Sequence, residues 1–174
     1  MLLPPGMGKS SHYDEMFKSI CPRTRWCGQG LPLAQNRLLR DISRMLHREH
    51  TLSIRVRYPE VDAMGILHHS RYLQYFEMGR VELLRSMGHS YADLEKAGIF
   101  FAVVKVEVRY RAPARYDEEL TLKTKITKQP TVRIDHEYQL HRGKILLAEA
   151  SSTIACVNRE GELEPIPDFL RTGS

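Results

Sequence analysis

Two hydrophobic periods run through this chain in an order that leaves few folds open. Leu52, Ile54, Val56 and Tyr58 alternate with Ser53, Arg55 and Arg57, the period of a half-buried strand. Residues 70–87 then change to the helical period. Tyr72, Phe76, Leu83 and Met87 share one face, with Leu73 and Leu84 beside them and Arg71, Gln74, Glu82 and Arg85 opposite. A shorter helix is expected from Ser90 as N-cap, with Asp93 at its third position, to Gly98. Downstream, strand patterns cover 99–110, 119–128, 131–140 and 145–157. Turns fall at Pro113–Asp117, His141–Lys144 and Asn158–Gly161, and a short run leads to Pro165. Parallel strands need crossover helices, and no helical pattern separates these last strands. The expectation is an α+β fold with one long helix packed on the concave face of an antiparallel sheet. Gly79 inside that helix costs about 1 kcal/mol relative to Ala, and close approach to the sheet or to a partner helix would account for it.

The junction between first strand and long helix is where chemistry is possible. Pro59 ends the strand because it lacks a ladder donor. Asp62 follows in a short loop, and seven residues later His69 opens the helical pattern. A carboxylate facing the open N–H groups of a helix start can attack a carbonyl or deprotonate water, and the helix start can hold the resulting oxyanion. Gly65 allows a sharp turn and a close approach of ligand to backbone. The structural alternative for Asp62 is a turn carboxylate, which is the commoner role of a lone Asp.

Charge and cysteine content narrow the function classes. The chain has 174 residues, enough for one domain with a moderate core, and a net charge of +5. Residues 1–50 hold 8 Lys/Arg against 4 Asp/Glu, whereas the remainder holds 18 against 17. A nearly neutral folded part argues against nucleic acid as the partner. Cys21, Cys27 and Cys156 are odd in number and fit no zinc spacing, and Cys156 reads as a small core residue. The chain reads as cytoplasmic, with no apolar run long enough to span a membrane and no signal peptide.

Residues 1–48 read as an N-terminal extension, disordered or partly helical, before a domain at 49–170 and a tail at 171–174. Gly6-Met7-Gly8-Lys9-Ser10 imitates the end of a phosphate-binding loop, but Leu3 stands where its first Gly belongs and no strand precedes it. Residues 33–48 fit a basic amphipathic helix with Leu38, Ile42 and Met45 on one side. A solvated appendage, a targeting segment and an untranslated stretch before a start at Met45 are equally compatible with it.

The motif Tyr58-x-Glu60-Val61-Asp62-x-Met64-Gly65, then His69-x-x-Tyr72 and Phe76-Glu77-x-x-Arg80, resembles the signature of hotdog-fold acyl-CoA thioesterases. The 4-hydroxybenzoyl-CoA and Tol-Pal-associated types are the nearest. Tyr110-Arg111-Ala112-Pro113-Ala114-Arg115-Tyr116-Asp117 and the Pro165-Ile166-Pro167 ending resemble the family too, so the likeness covers about residues 51–170 in order. It implies a catalytic carboxylate at Asp62, as nucleophile or general base. It also implies an oxyanion-binding backbone N–H at His69, hydrolysis of acyl-CoA to a carboxylic acid and free coenzyme A, and no cofactor. A homodimer or homotetramer with sites at subunit interfaces is implied in the same way.

Tyr72 and Tyr75 read as core or pocket-wall aromatics, Tyr72 as the one nearer substrate. The His69 side chain is a candidate to cap the helix, orient Asp62 or touch substrate, while His68 reads as partly exposed without a role. Glu77 competes with Asp62 as a helix carboxylate, but an i, i+3 pair with Arg80 is the simpler reading. His68, His69 and Glu77 do not make a metal-ligand spacing. Lys105, Arg109, Arg111, Arg115 and Lys128 are candidate cations for coenzyme A, none singled out. Two alternatives to hydrolysis remain: a non-catalytic acyl-CoA-binding hotdog module, and a hydroxyacyl-thioester dehydratase using His69 with Glu77.

Overall fold

The computed structural model describes residues 48–171. The expectations for the N-terminal extension, including a helix over 33–48, fall outside these residues. Within them the chain runs β1 (Glu49–Arg55), α1 (His69–Ser86), α2 (Tyr91–Lys96), β2 (Phe100–Tyr110), β3 (Glu119–Lys128), β4 (Arg133–Arg142) and β5 (Ile145–Val157). Short 3-10 turns lie at Tyr58–Glu60 and Asp168–Leu170. The strands form one sheet in the order β1-β3-β4-β5-β2, and each neighbouring pair is antiparallel. This is the expected α+β hotdog arrangement, with α1 lying against β1 and β3.

The period-two pattern places one face of the central strands beneath the helix. Leu120, Leu122 and Ile126 of β3, Ile134, Tyr138 and Leu140 of β4, and Ala148, Ala150 and Ile154 of β5 are buried. Lys123, Lys125, Glu137 and Gln139, on the intervening positions, are exposed. Gly79 sits where α1 comes close to β3. A Cβ there would fall 2.2 Å from Thr124 Oγ1 and 2.8 Å from Leu122 Cδ2, so only glycine fits without displacement. Sheet approach is therefore the reason for a glycine in mid-helix.

Two apolar clusters fill the core. One gathers Tyr72, Tyr75, Phe76, Leu120, Leu122 and Leu140 toward the start of α1. The other gathers Leu83, Leu94, Ile126, Ile134, Ile154 and Leu170 toward its end. Polar groups lie where they meet. Thr124, His136 and Ser152 are buried, Tyr138 Oη and Ser152 Oγ are 2.7 Å apart, and Arg80 Nη1 donates to Tyr138 Oη at 3.1 Å.

Several local expectations change. Tyr58 was read as an inward strand residue, but it stands in the 3-10 turn and is exposed. The ladder ends at Arg55, three residues before Tyr58, and Pro59 with its fixed φ continues the turn out of the sheet. Strand β2 is the sheet's edge, and Val103, Val104, Val106 and Tyr110 are exposed rather than core. A register shift between Val103 and Lys105 bends that strand. The run after Gly161 makes only an isolated bridge, Val157 to Leu163. The anticipated Glu77–Arg80 pair does not close to ion-pair distance, although the Glu77 charge still favours that of Arg80 from further off. Glu77 is exposed and Arg80 turns inward to Tyr138.

Candidate active site

The loop between β1 and α1 is a small hairpin centred on Asp62. The Gly65 N–H donates to the Asp62 carbonyl at 2.9 Å, and the Asp62 N–H donates to the Ile66 carbonyl at 2.9 Å. Gly65 has φ +70, the left-handed residue that such a three-residue hairpin loop requires. Val61 bridges Leu67 at its base, and Ile66 bridges Arg115 across the neighbouring segment. The Asp62 carboxylate takes part in this turn. Its Oδ1 accepts from the Met64 N–H at 2.8 Å and more weakly from the Ile66 N–H at 3.4 Å. Among the described residues its Oδ2 accepts no hydrogen bond, so one oxygen orients the group and the other stays available.

Behind the loop lies a buried carboxylate that the sequence reading had not singled out for a role. Glu60 is 2% exposed. It accepts from the Arg57 N–H at 2.7 Å, from Arg57 Nε and Nη2 at 2.9 and 2.6 Å, and from the Tyr75 hydroxyl at 2.7 Å. Burial pushes its acidity constant up, but the hydrogen bonds from Arg57 and Tyr75 outweigh burial and hold it below the usual carboxylate range. Its carbonyl accepts from the His68 N–H at 2.9 Å. Glu60 thus ties the loop to the start of α1. Its place between Arg57 and the helix aromatics was the available signal.

Helix α1 opens at His69, and His68 is its N-cap. The imidazole of His68, not that of His69, does the capping: Nδ1 lies 2.8 Å from Ser70 Oγ and accepts weakly from the Ser70 N–H at 3.4 Å. This corrects the reading of His68 as idle. The two imidazoles lie 4.1 Å apart, centroid to centroid. As the first helical residue, His69 has a backbone N–H without a carbonyl partner in its own helix, at an end carrying roughly half a unit of positive charge.

Asp62, His69 and Tyr72 line one cavity of about 400 Å³, together with Met64, Ile66, Leu67, Tyr110 and Arg111. Gly65 shapes the adjoining loop and is not in the wall. Tyr110, a strand aromatic in the sequence pattern, has a further place here. It packs edge-on against Tyr72 at 4.9 Å, and its hydroxyl donates to the His69 carbonyl at 3.1 Å. Burial raises the acidity constants of both phenols, so both stay neutral near pH 7. Arg111 pairs with Glu149, which occupies one of the candidate cations. Glu77 does not line the cavity and lies eight residues, about 12 Å along the helix, from His69. The pairing of those two that dehydration would need is therefore not made within this chain. Among the described residues no group of His, Cys, Asp and Glu could hold a metal ion.

The thioesterase-like superfamily matches residues 56–173, and the chain belongs to it. This places it among the thioester hydrolases of hotdog fold. It is 31% identical to the acyl-CoA thioesterase YbgC of Haemophilus influenzae, over 70% of this chain and 90% of that one. It is 35% identical to a putative acyl-CoA thioesterase, YneP, of Bacillus subtilis, over 62% and 78%. The solved structure of a probable thioesterase from Bartonella henselae superposes with TM-score 0.66 at 34% identity, covering 68% of this chain and 99% of that one.

Proposed function

We propose that the protein hydrolyses acyl-CoA thioesters to a carboxylic acid and free coenzyme A, with Asp62 as the reactive carboxylate. The observation that carries this is the shared cavity. It joins a carboxylate with one uncommitted oxygen to the first residue of a long helix. The thioester carbonyl sits between them, its oxygen on the His69 N–H and its carbon toward Asp62. Attack by Asp62, or by water that Asp62 deprotonates, drives charge onto that oxygen, where one donor is worth about 2.7–4 kcal/mol of barrier. Collapse breaks the C–S bond and releases the thiolate; after direct attack, water then hydrolyses the acyl–Asp62 anhydride to the carboxylic acid and frees Asp62. Tyr72 and Tyr110 wall the acyl group, and the loop bend at Gly65 lets it approach. The YbgC and YneP relatives support this substrate class. The resemblance of the Tyr58–Arg80 and Tyr110–Asp117 motifs supports a 4-hydroxybenzoyl-CoA or Tol-Pal-associated type within that class.

The protein acts as a homo-oligomer in the cytoplasm. Strand β2 supports the first statement: it is an eleven-residue edge with Val103, Val104, Val106 and Tyr110 exposed, and an uncovered apolar edge is a pairing surface. Tyr110 also lines the cavity, so a second copy paired there would border the site. No helix among the described residues is long and apolar enough to cross a membrane.

Asp62→Asn is the test. Asparagine keeps an oxygen acceptor for the Met64 N–H, so the loop is retained while the anion is lost. Thiol release across short, long and aromatic acyl-CoAs is expected to vanish with the circular-dichroism spectrum unchanged. Near wild-type turnover by this variant sinks the assignment. Binding of acyl-CoA by the wild type without thiol release would instead mark a binding module.

A further inference from the structure

Two aromatic rings beside the cavity have no part in the core or in the cavity wall. Tyr58 and Tyr116 are 74% and 53% exposed, and their rings meet edge to face with centroids 5.5 Å apart and planes at 89°. Single exposed apolar residues are ordinary, but two rings held together in solvent form a surface. The chain fixes both near the site. Tyr58 stands four residues before Asp62, so at most about 14 Å of chain separates them. Tyr116 follows Arg115, whose bridge partner Ile66 lines the cavity.

The cations around the rings are not equivalent. Arg57 is committed to Glu60, and Arg55 to Asp117 and Glu119. The Glu118 carboxylate accepts the Arg115 backbone N–H at 2.9 Å and is held on both oxygens by Arg142 at 2.7 and 2.8 Å. Arg115 is exposed, and its guanidinium enters no ion pair among the described residues. The surface next to the cavity loop therefore presents two exposed rings and a guanidinium outside ion-pair distance of any described carboxylate, the charge it feels being that of a Glu118 already held by Arg142. That is the complement of a purine next to a phosphate: a flat π-system that stacks on aromatic rings, and an anion that takes a fork of N–H donors.

We propose that Tyr58, Tyr116 and Arg115 hold the nucleotide end of coenzyme A. Adenine rests against the tyrosines, a phosphate rests on Arg115, and the pantetheine arm runs from there to Asp62. The acyl carrier is then coenzyme A itself. An acyl carrier protein presents the same arm on a single phosphodiester, without adenine, and leaves the rings unused. The inference rests on reading the Asp62 cavity as the thioester site.

The experiment compares acyl-CoA with the matching S-acyl-N-acetylcysteamine, which has the same thioester and no nucleotide, in wild type, Tyr58→Ala/Tyr116→Ala and Arg115→Ala. All three side chains are exposed, so the variants are expected to fold. For each variant kcat/KM on acyl-CoA should fall about tenfold or more relative to the truncated thioester, the scale of one lost base–aromatic stack, and the fall should appear in KM. Equal losses on both substrates, or none, overturn the proposal. Calorimetric binding of adenosine 3′,5′-bisphosphate decides the matter independently of turnover. If the wild type binds it and the variants do not, the nucleotide surface stands even where hydrolysis fails. If wild type and variants bind it alike, or none does, the surface is refuted while the hydrolase reading is untouched.

Discussion

Replacing Gly79 by alanine tests the close approach of α1 to β3. Alanine is the better helix former by about 1 kcal/mol, so an α1 that merely lay near the sheet would gain stability from the change. The geometry predicts the opposite. The new methyl would sit 2.2 Å from Thr124 Oγ1 and 2.8 Å from Leu122 Cδ2, distances real Cβ atoms do not adopt. Either α1 lifts from β3 or the β3 side chains leave their positions, and overpacking of this kind costs about 1–3 kcal/mol or more. The net expectation is a loss of about 2 kcal/mol. Thr124→Ala removes the nearer obstacle. It also removes a buried hydroxyl that has no hydrogen-bond partner, so alone it should cost little. Gly79→Ala/Thr124→Ala should then recover at least about 1 kcal/mol relative to the sum of the single changes. Urea unfolding at one protein concentration, followed by far-UV circular dichroism with matched m-values, gives all four corners of the cycle. A Gly79→Ala protein as stable as the wild type or more so, or a cycle with zero coupling, would refute the close approach.

Tyr75→Phe leaves the buried Glu60 carboxylate one donor short, and urea unfolding should show a loss of about 1–3 kcal/mol. His136 is buried beside Arg80, with Asp135 opposing, and burial first and Arg80 second push its acidity constant down to about 3. The unfolded chain then takes up a proton near pH 6.5 that the folded chain refuses. Stability should fall as pH drops from about 6.5 toward 3, with a slope of at most about 1.4 kcal/mol per pH unit. Chemical denaturation at pH 7, 6 and 5 reads this slope, and His136→Leu should remove most of it. Size-exclusion chromatography with light scattering should show an oligomer that Val104→Glu/Val106→Glu, on the exposed edge of β2, converts toward monomer.

The fold was legible because periodicity reports which face of each element is buried, and here nearly every element has one buried face. The helix at 69–86 and the strands follow from that pattern, while Gly79 signalled a close approach without saying whether to the sheet or to a partner helix. Edges were less legible. Val103, Val104 and Val106 look like core residues in sequence, since apolarity does not distinguish burial under a helix from a face left open at a sheet margin. Tyr58 continues the strand alternation on paper, but the ladder ends at Arg55. At the site, Asp62, Gly65 and His69 were marked by spacing and by resemblance. Glu60 was not, because its partners Arg57 and Tyr75 acquire meaning only when the chain turns back on itself. Two adjacent histidines could not be told apart before the cap geometry assigned the N-cap to His68.

The polar groups between the two apolar clusters divide the molecule's response to heat and denaturant. Arg80, Tyr138 and Ser152 link α1 to β4 and β5 by hydrogen bonds, and Arg80 also reaches Tyr91 of α2, beside the far cluster of Leu83, Leu94, Ile126 and Leu170. The far cluster, with α2 and the C-terminal 3-10 turn, is expected to open before the near cluster that backs the Asp62 cavity, giving up the Arg80–Tyr91 contact as it does. Amide hydrogen exchange would then resolve two classes of slow protons, with the functional half of the domain the last to exchange. Changes made to the far half for expression or solubility would leave the chemistry in place.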